Sequence, residues 1–130
     1  MDVNKLKSYL NFSYCPWSNF RVAAIAVDEQ GRHWPGVNVE NAAFPSGLCA
    51  ERSALFGSVA NGAKVGTFKE IHIISSGAGV VSPCAGCRQV MTEFMSDDAL
   101  VYLYSADGKT IKKFKLVELV PLPIRSEQIK

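Results

Sequence analysis

Gly47-Leu48-Cys49-Ala50-Glu51-Arg52 and, further along, Ser82-Pro83-Cys84-Ala85-Gly86-Cys87 are the two stretches on which the reading of this chain turns. Between them they hold three of its four cysteines, and a glutamate stands two residues past the first. Thiolates bind zinc well, and Cys-x-x-Cys is a common half-site. Three protein ligands leave one tetrahedral position open, and an open position distinguishes a catalytic zinc from a structural one. Both stretches read as helix starts. Residues i and i+3 of a helix share a face, so Cys84 and Cys87 can grip one ion. Cys49 and Glu51 are only two residues apart. They address one point only if it lies off a helix end, where first-turn side chains converge. Two helix N-termini aimed at one ion would also favour anionic thiolates.

Outward from these stretches, the pattern alternates strands and helices. Val3, Leu6 and Leu10 have helical spacing, so a short helix is expected over 3–10. The run Tyr14-Cys15-Pro16-Trp17-Ser18-Asn19 is a turn broken by proline. Residues 20–27 are apolar and short, as expected of a central strand buried on both faces. A turn at 29–31 leads to a strand over 32–39, where Pro35 favours a sheet edge. Alternation sends Asn38 and Glu40 to one side and Val37 and Val39 to the other. A helix is expected over 48–60, ended by Asn61-Gly62. Gly57 inside it reads as a place for close packing, within the chain or against another subunit. A strand over 70–75 precedes a helix with Ser82 as N-cap and Pro83 at its first position. Cys87, Val90, Met91 and Phe94 form its apolar stripe. Strands over 99–104 and 110–114 flank an Asp107-Gly108 turn, and a helical turn is expected over 116–120. This order favours an α/β fold, a five-stranded mixed sheet with helices on its faces.

The chain has 130 residues, 48% hydrophobic and 20% charged, with a formal net charge of +2. That suits one domain over 1–130, and the charge is too small to indicate a nucleic-acid or membrane partner. No apolar run is long enough to span a bilayer, and no secretory pattern follows Met1. Cysteines in such a chain are expected to be reduced and available to a metal, which points to the cytoplasm.

Several residues admit two readings. Cys15 could close the metal site as a fourth ligand, leaving a purely structural zinc, and His72 and His33 are weaker candidates. Glu51 is an acid/base group or a carboxylate favoured by the helix dipole. Asn38 and Glu40 hold a sugar hydroxyl or are loop polar residues. Phe20 is core or a stacking surface, and Tyr14 and Trp17 cover the core or cap a pocket. Arg52 is a surface cation or a donor to the thiolates, offsetting the charge of a three-thiolate site.

The runs Tyr14-x-Pro16-x-Ser18-x-Phe20, Asn38-Val39-Glu40-Asn41-Ala42, Cys49-Ala50-Glu51-Arg52 and Ser82-Pro83-Cys84-x-x-Cys87-Arg88-Gln89-Val90 occur in this order. In them the chain resembles the cytidine deaminases of the small, homotetrameric, three-cysteine kind, and fits the zinc deaminase signature in which the glutamate is not a ligand. The resemblance implies a three-layer α/β/α sandwich and one Zn2+ on Cys49, Cys84 and Cys87. It implies Glu51 as catalytic proton shuttle, Phe20 stacking on the base, and Asn38 and Glu40 on the ribose 3′-hydroxyl. The backbone of Ala50 would meet the base carbonyl. Ala42 and Phe44 join the substrate-binding set, with Phe44 in a loop expected to reach a neighbouring subunit's site. Trp17 and Phe44 stand where tyrosine is usual, Ala85-Gly86 inverts the usual order, and Ile124 occupies the region of a customary phenylalanine.

The expected reaction is hydrolytic deamination of cytidine and 2′-deoxycytidine to uridine and 2′-deoxyuridine plus ammonia, a step of pyrimidine salvage. Zinc activates the attacking water and Glu51 carries the protons. The rivals are a deaminase of another aminopyrimidine or of polynucleotide cytosine, and a non-enzymatic zinc module. A polynucleotide site calls for a basic, aromatic groove, whereas the lysines here cluster only at 109–115 in a hairpin.

Overall fold

The apolar stretch after the proline turn becomes an inner strand of the sheet. In the computed structural model, which describes residues 1–130, β1 is Val22–Asp28, flanked by β2, His33–Val37, and β3, Phe68–Ser75. Both pairings are antiparallel. β4, Met95–Tyr104, pairs parallel with β3, and β5, Ile111–Lys115, closes the far edge antiparallel to β4. The order is β2-β1-β3-β4-β5. Pro35 lies on an edge strand, as its missing N–H requires.

The helices are α1, Val3–Ser8; α2, Ala50–Ala60; α3, Ala85–Phe94; and α4, Leu116–Leu119. Alternation along β1 divides the core. Ala24 and Ala26 face α2, α3 and α4 in the larger cluster with Leu55, Met91 and Leu116. Ala23 and Ile25 face α1, around Leu6, Ile74 and Tyr104. The result is the expected three layers. Fully buried side chains such as Leu55, Phe68 and Ile71 each contribute about 1.5–3 kcal/mol of transfer free energy.

Several boundaries differ from the sequence expectation, each for a local reason. β1 starts at Val22, not 20, because Asn19 turns the chain at φ 54 and the N–H groups of Phe20 and Arg21 go to Ser18 and Ser76 hydroxyls. α2 starts at Ala50, not 48. Leu48 spends both backbone groups on Val39, leaving Cys49 as N-cap. Ser82-Pro83 does not open α3. Cys84 is the N-cap, its sulfur accepting from the Cys87 N–H, and the Ser82 hydroxyl accepts from Arg88 instead. β4 begins at Met95 rather than 99, and β3 at Phe68 rather than 70, because Phe68 and Met95 add a further pair beyond an irregularity. Within the single chain the close backbone approach is at Gly36 and not at Gly57. Nothing lies within 4 Å of a Cβ built on Gly57, whereas one on Gly36 would meet the backbone of α2.

Candidate active site

Four segments converge at the end of the sheet where β1 begins and β2 and β3 finish. They are the loop before β1, the loop after β2, and the first turns of α2 and α3. A cavity of about 310 Å³ lies between them. Its lining includes Phe20, Asn38, Glu40, Cys49, Ala50, Glu51 and Cys84. The Sγ atoms of Cys49, Cys84 and Cys87 all lie within 4.8 Å of one another. Cys49 and Cys84 are 3.9 Å apart and Cys84 and Cys87 3.3 Å apart. Sulfurs on a tetrahedral zinc at about 2.3 Å stand roughly 3.8 Å from each other, so this donor set fits one zinc ion. Cys49 and Cys84 are the N-caps of their helices, so both helix N-termini face the sulfurs.

Cys15 is not part of the cluster. It is buried elsewhere and accepts a hydrogen bond from the Ser13 hydroxyl, so a closed four-cysteine site does not form. His72 is also accounted for. It is stacked on Tyr102 and bonded to Tyr104 and Glu70, and His33 is on the edge strand.

The electrostatics follow from burial and neighbours. Hydrogen bonding from the Cys87 thiol, with help from Arg52, holds the Cys49 thiol well below its ordinary value despite burial. The bond to Cys49 pushes the Cys87 thiol up, so without metal the pair holds a proton that metal binding would release. Arg52 donates to Cys49 Sγ at 3.3 Å. Its Nε is the one buried side-chain nitrogen or oxygen lacking a partner. Glu51 is 4% exposed, and burial raises its carboxyl pKa, with the nearby Cys49 charge adding to the effect.

Asn38 and Glu40 emerge on one side, as alternation requires, but much of their bonding capacity is already used. Asn38 Oδ1 accepts from the Val22 N–H and the Ser13 hydroxyl, and Nδ2 donates to Phe20 O at 2.7 Å. One Nδ2 hydrogen remains. Glu40 Oε1 accepts from the N–H groups of Trp17 and Ser18, and Oε2 from the Ser18 hydroxyl. The Ser18 hydroxyl bond, aided by the two N–H groups, keeps the Glu40 carboxyl below its usual range. Phe20 is neither fully core nor free. It is 37% exposed and rests against Gly77, where an added Cβ would come within 2.8 Å of the ring.

Phe44 lies outside the cavity. With Trp17, Asn41 and Arg52 it lines a larger open groove of about 620 Å³, which shares Asn38, Glu40 and Cys49 with the cavity. Ala42 is exposed and borders neither. Tyr14, Trp17 and Phe44 form edge-on aromatic contacts and are 51–73% exposed. Ser18, Ser13 and Gly77 matter to the site but carried no functional reading in the sequence. For Ser18 the signal was its place in the proline turn. For Gly77 there was only a loop glycine.

Comparison with known proteins agrees with this geometry. Residues 4–103 match the family model described as cytidine and deoxycytidylate deaminase zinc-binding region. The chain is 36% identical to a cytidine deaminase of Sporosarcina psychrophila, covering 99% of this chain and 96% of the relative. It is 34% identical to that of Mycoplasma pneumoniae, covering 95% and 91%. Among solved structures it resembles the cytidine deaminase of Burkholderia pseudomallei, with TM-score 0.88, 34% identity and 94% and 95% coverage. It also resembles that of Mycobacterium tuberculosis, with TM-score 0.76, 27% identity and 96% and 98% coverage. With the three sulfurs positioned for one metal ion and the match running over most of its length, the chain belongs to the cytidine and deoxycytidylate deaminase family, the zinc-dependent hydrolases.

Proposed function

We propose that this chain hydrolyses the 4-amino group of cytidine and 2′-deoxycytidine, giving the uridine products and ammonia. The observation that carries the reading is the Glu51 carboxyl, buried in the same small cavity as Cys49 and Cys84. A zinc ion held by Cys49, Cys84 and Cys87 would supply the Lewis acid that brings the pKa of a bound water to about 7. Glu51 does the proton work. A carboxyl whose pKa burial raises exchanges protons near neutral pH more readily than an exposed one. It accepts the proton of the attacking water, passes it to the ring nitrogen, and later carries a proton to the departing amino group. Phe20 supplies a face for the base, and the Ala50 N–H, at the first position of α2, meets the base carbonyl.

The sugar hydroxyl is assigned to the bonding capacity left over. The 3′-hydroxyl donates to Glu40 Oε2 and accepts the remaining Asn38 Nδ2 hydrogen. The 2′-hydroxyl has no such role. We further infer a homotetramer in which a second copy covers the open groove beside the cavity. The exposed Tyr14, Trp17 and Phe44 support this. Free cysteines suit a cytoplasmic setting. No helix is long and apolar enough to cross a membrane.

The test is ammonia release by zinc-loaded protein from cytidine, 2′-deoxycytidine, 3′-deoxycytidine and a cytosine oligonucleotide. The first two should turn over comparably. The third should fall far behind, because a site built to bind a hydroxyl leaves buried partners unpaired without it. Glu51→Gln should keep its zinc and lose on the order of 10²–10⁴-fold in rate. No release from cytidine, or a Gln variant within a few-fold of the parent, refutes the reading.

A further inference from the structure

Cys84 is the most exposed of the three sulfur ligands, and it ends the least supported stretch of chain. From Gly77 to Pro83 no residue makes a backbone–backbone hydrogen bond. A metal ligand at the end of such a stretch is not held by the ladders that fix β3 or by the first turn of α3 alone. One side chain adds to the hold of that first turn. Arg88, one turn into α3, donates through Nε to Pro83 O at 2.9 Å, through Nη1 to Leu119 O at 2.9 Å, and through Nη2 to the Ser82 hydroxyl. Pro83 is buried, so its carbonyl needs a partner. Leu119 ends a four-residue helix whose last carbonyls have none within the helix.

We propose that Arg88 is a positioning residue of the metal centre, pinning the Ser82-Pro83 segment against α3 and α4 so that Cys84 is presented to the zinc in one geometry. Arg88 lines neither the cavity nor the groove, so it acts through the chain and not on substrate. Without the pins, residues 77–84 sample more conformations, and each metal-binding event must order them again. Only a planar fork with several donors serves three acceptors at fixed angles. A lysine ammonium can satisfy one or two. The coupling to Leu119 adds a consequence: the last segment of the chain, beyond the sheet, contributes to holding zinc.

The inference rests on zinc binding and not on the identity of the substrate, so its readout is the metal. Zinc-loaded protein is mixed with excess chromophoric chelator and the release rate is followed. Cobalt-substituted protein gives the sulfur-to-cobalt absorption as a measure of ligand geometry. Arg88→Gln should release zinc roughly 10–100-fold faster, the range in which groups supporting metal ligands act, and its cobalt spectrum should change. Arg88→Lys should fall between parent and Gln, and Ser82→Ala should show a smaller acceleration. Leu6→Ala, which opens a core cavity on the other face of the sheet, is the control: it lowers the melting temperature and leaves release and spectrum unchanged. Parental release and spectrum in Arg88→Gln, or equal acceleration by Leu6→Ala, overturns the proposal. If Arg88→Gln does not fold, Arg88→Lys and Ser82→Ala decide it, and parental release in both overturns it.

Discussion

Replacing Gly36 by alanine should do more damage than any other single methyl added to this chain. Gly36 sits mid-strand in β2, opposite Ala24, and α2 crosses directly over it. A Cβ built there would stand 2.6 Å from Ala50 O and 2.8 Å from Ala54 Cα, with the Ala54 nitrogen nearer still. Carbon contacts are favourable at about 3.5–4.0 Å, so the helix would have to retreat by roughly 1 Å. The obstacle is backbone, and no rotamer change relieves it. The backbone angles of Gly36 are not in the left-handed region. Alanine would therefore gain about 0.5–1 kcal/mol in the strand if nothing lay above it. The contact reverses that sign. Overpacking typically costs about 1–3 kcal/mol, and an unyielding backbone contact belongs at the upper end, a fall in melting temperature of roughly 10 °C for a chain of this size. The first turn of α2 carries Cys49 and Glu51, so its displacement also widens the 3.9 Å gap from Cys49 to Cys84. A misplacement of about 1 Å in a site can lower the rate 10²-fold. Calorimetry, zinc content and cytidine turnover on one preparation measure all three. A Gly36→Ala protein that melts within a degree or two of the parent with full zinc and full rate would refute the packing argument.

Three further outcomes are expected. Arg52→Gln should keep the fold and slow turnover by about 10–100-fold through loss of the donor to Cys49, with Arg52→Lys recovering only part; unchanged turnover at full zinc content would make Arg52 a bystander. Gly77→Ala should raise KM for cytidine more than it lowers kcat, because the new methyl displaces the Phe20 ring and base–aromatic stacking is worth about 1–3 kcal/mol; an unchanged KM counts against Phe20 as the base platform. Asp28→Asn should cost about 1–3 kcal/mol above pH 4 by weakening the Trp34 and Arg32 contacts, and urea unfolding of both proteins from pH 6 to 2 checks the sign. Burial alone would raise the Asp28 carboxyl, but bonds from Trp34, Arg32 and Gln30 outweigh it and hold it at about 2 against the ordinary 3.8. Its stabilisation is thus present above about pH 4 and lost as pH falls through 2, so the gap between the two proteins should close over that window; a constant gap would contradict the assignment.

The layers of this fold could be read from the chain because they rest on periodicity. Residues 20–27 have too many small apolar side chains for any place but the sheet interior, and Pro35 confines its strand to an edge. Strand order could not be read this way. Nothing in Phe68–Ser75 or Met95–Tyr104 specifies that they lie parallel; that follows from α3 crossing between them. At the site, Cys49, Cys84, Cys87 and Glu51 were legible because metal chemistry restricts residue type and spacing. Asn38 was legible only in part. Alternation gave its side, but its bonds to Ser13, Phe20 and Val22 join segments far apart in sequence. The same holds for Arg88, whose partners span Ser82 to Leu119.

The misreading of Ser82-Pro83 as a helix start is informative because the capping rule was sound and the competing demand was stronger. A serine cap would have satisfied one helix N–H. Using Cys84 instead satisfies an N–H and, in the same residue, sets a sulfur at the helix mouth, 3.3 Å from Cys87. Cys49 takes the matching position on α2. A cap residue is the last one before the helix cylinder closes, so its side chain projects across the helix end, where the dipole is most positive. Residues one turn further in, such as Cys87, reach the same point from the side. Two caps and one first-turn residue therefore approach a common centre from three directions with no strand or loop intervening. Glu51, at the second position of α2, is left beside that centre, lining the same cavity as Cys49 and Cys84. Had either helix begun two residues earlier, as propensity alone suggests, its cysteine would have been rotated about 200° around the helix. The sulfurs would then have faced different surfaces. The loss of a propensity-favoured start is what allows three thiols and one carboxyl to share a site.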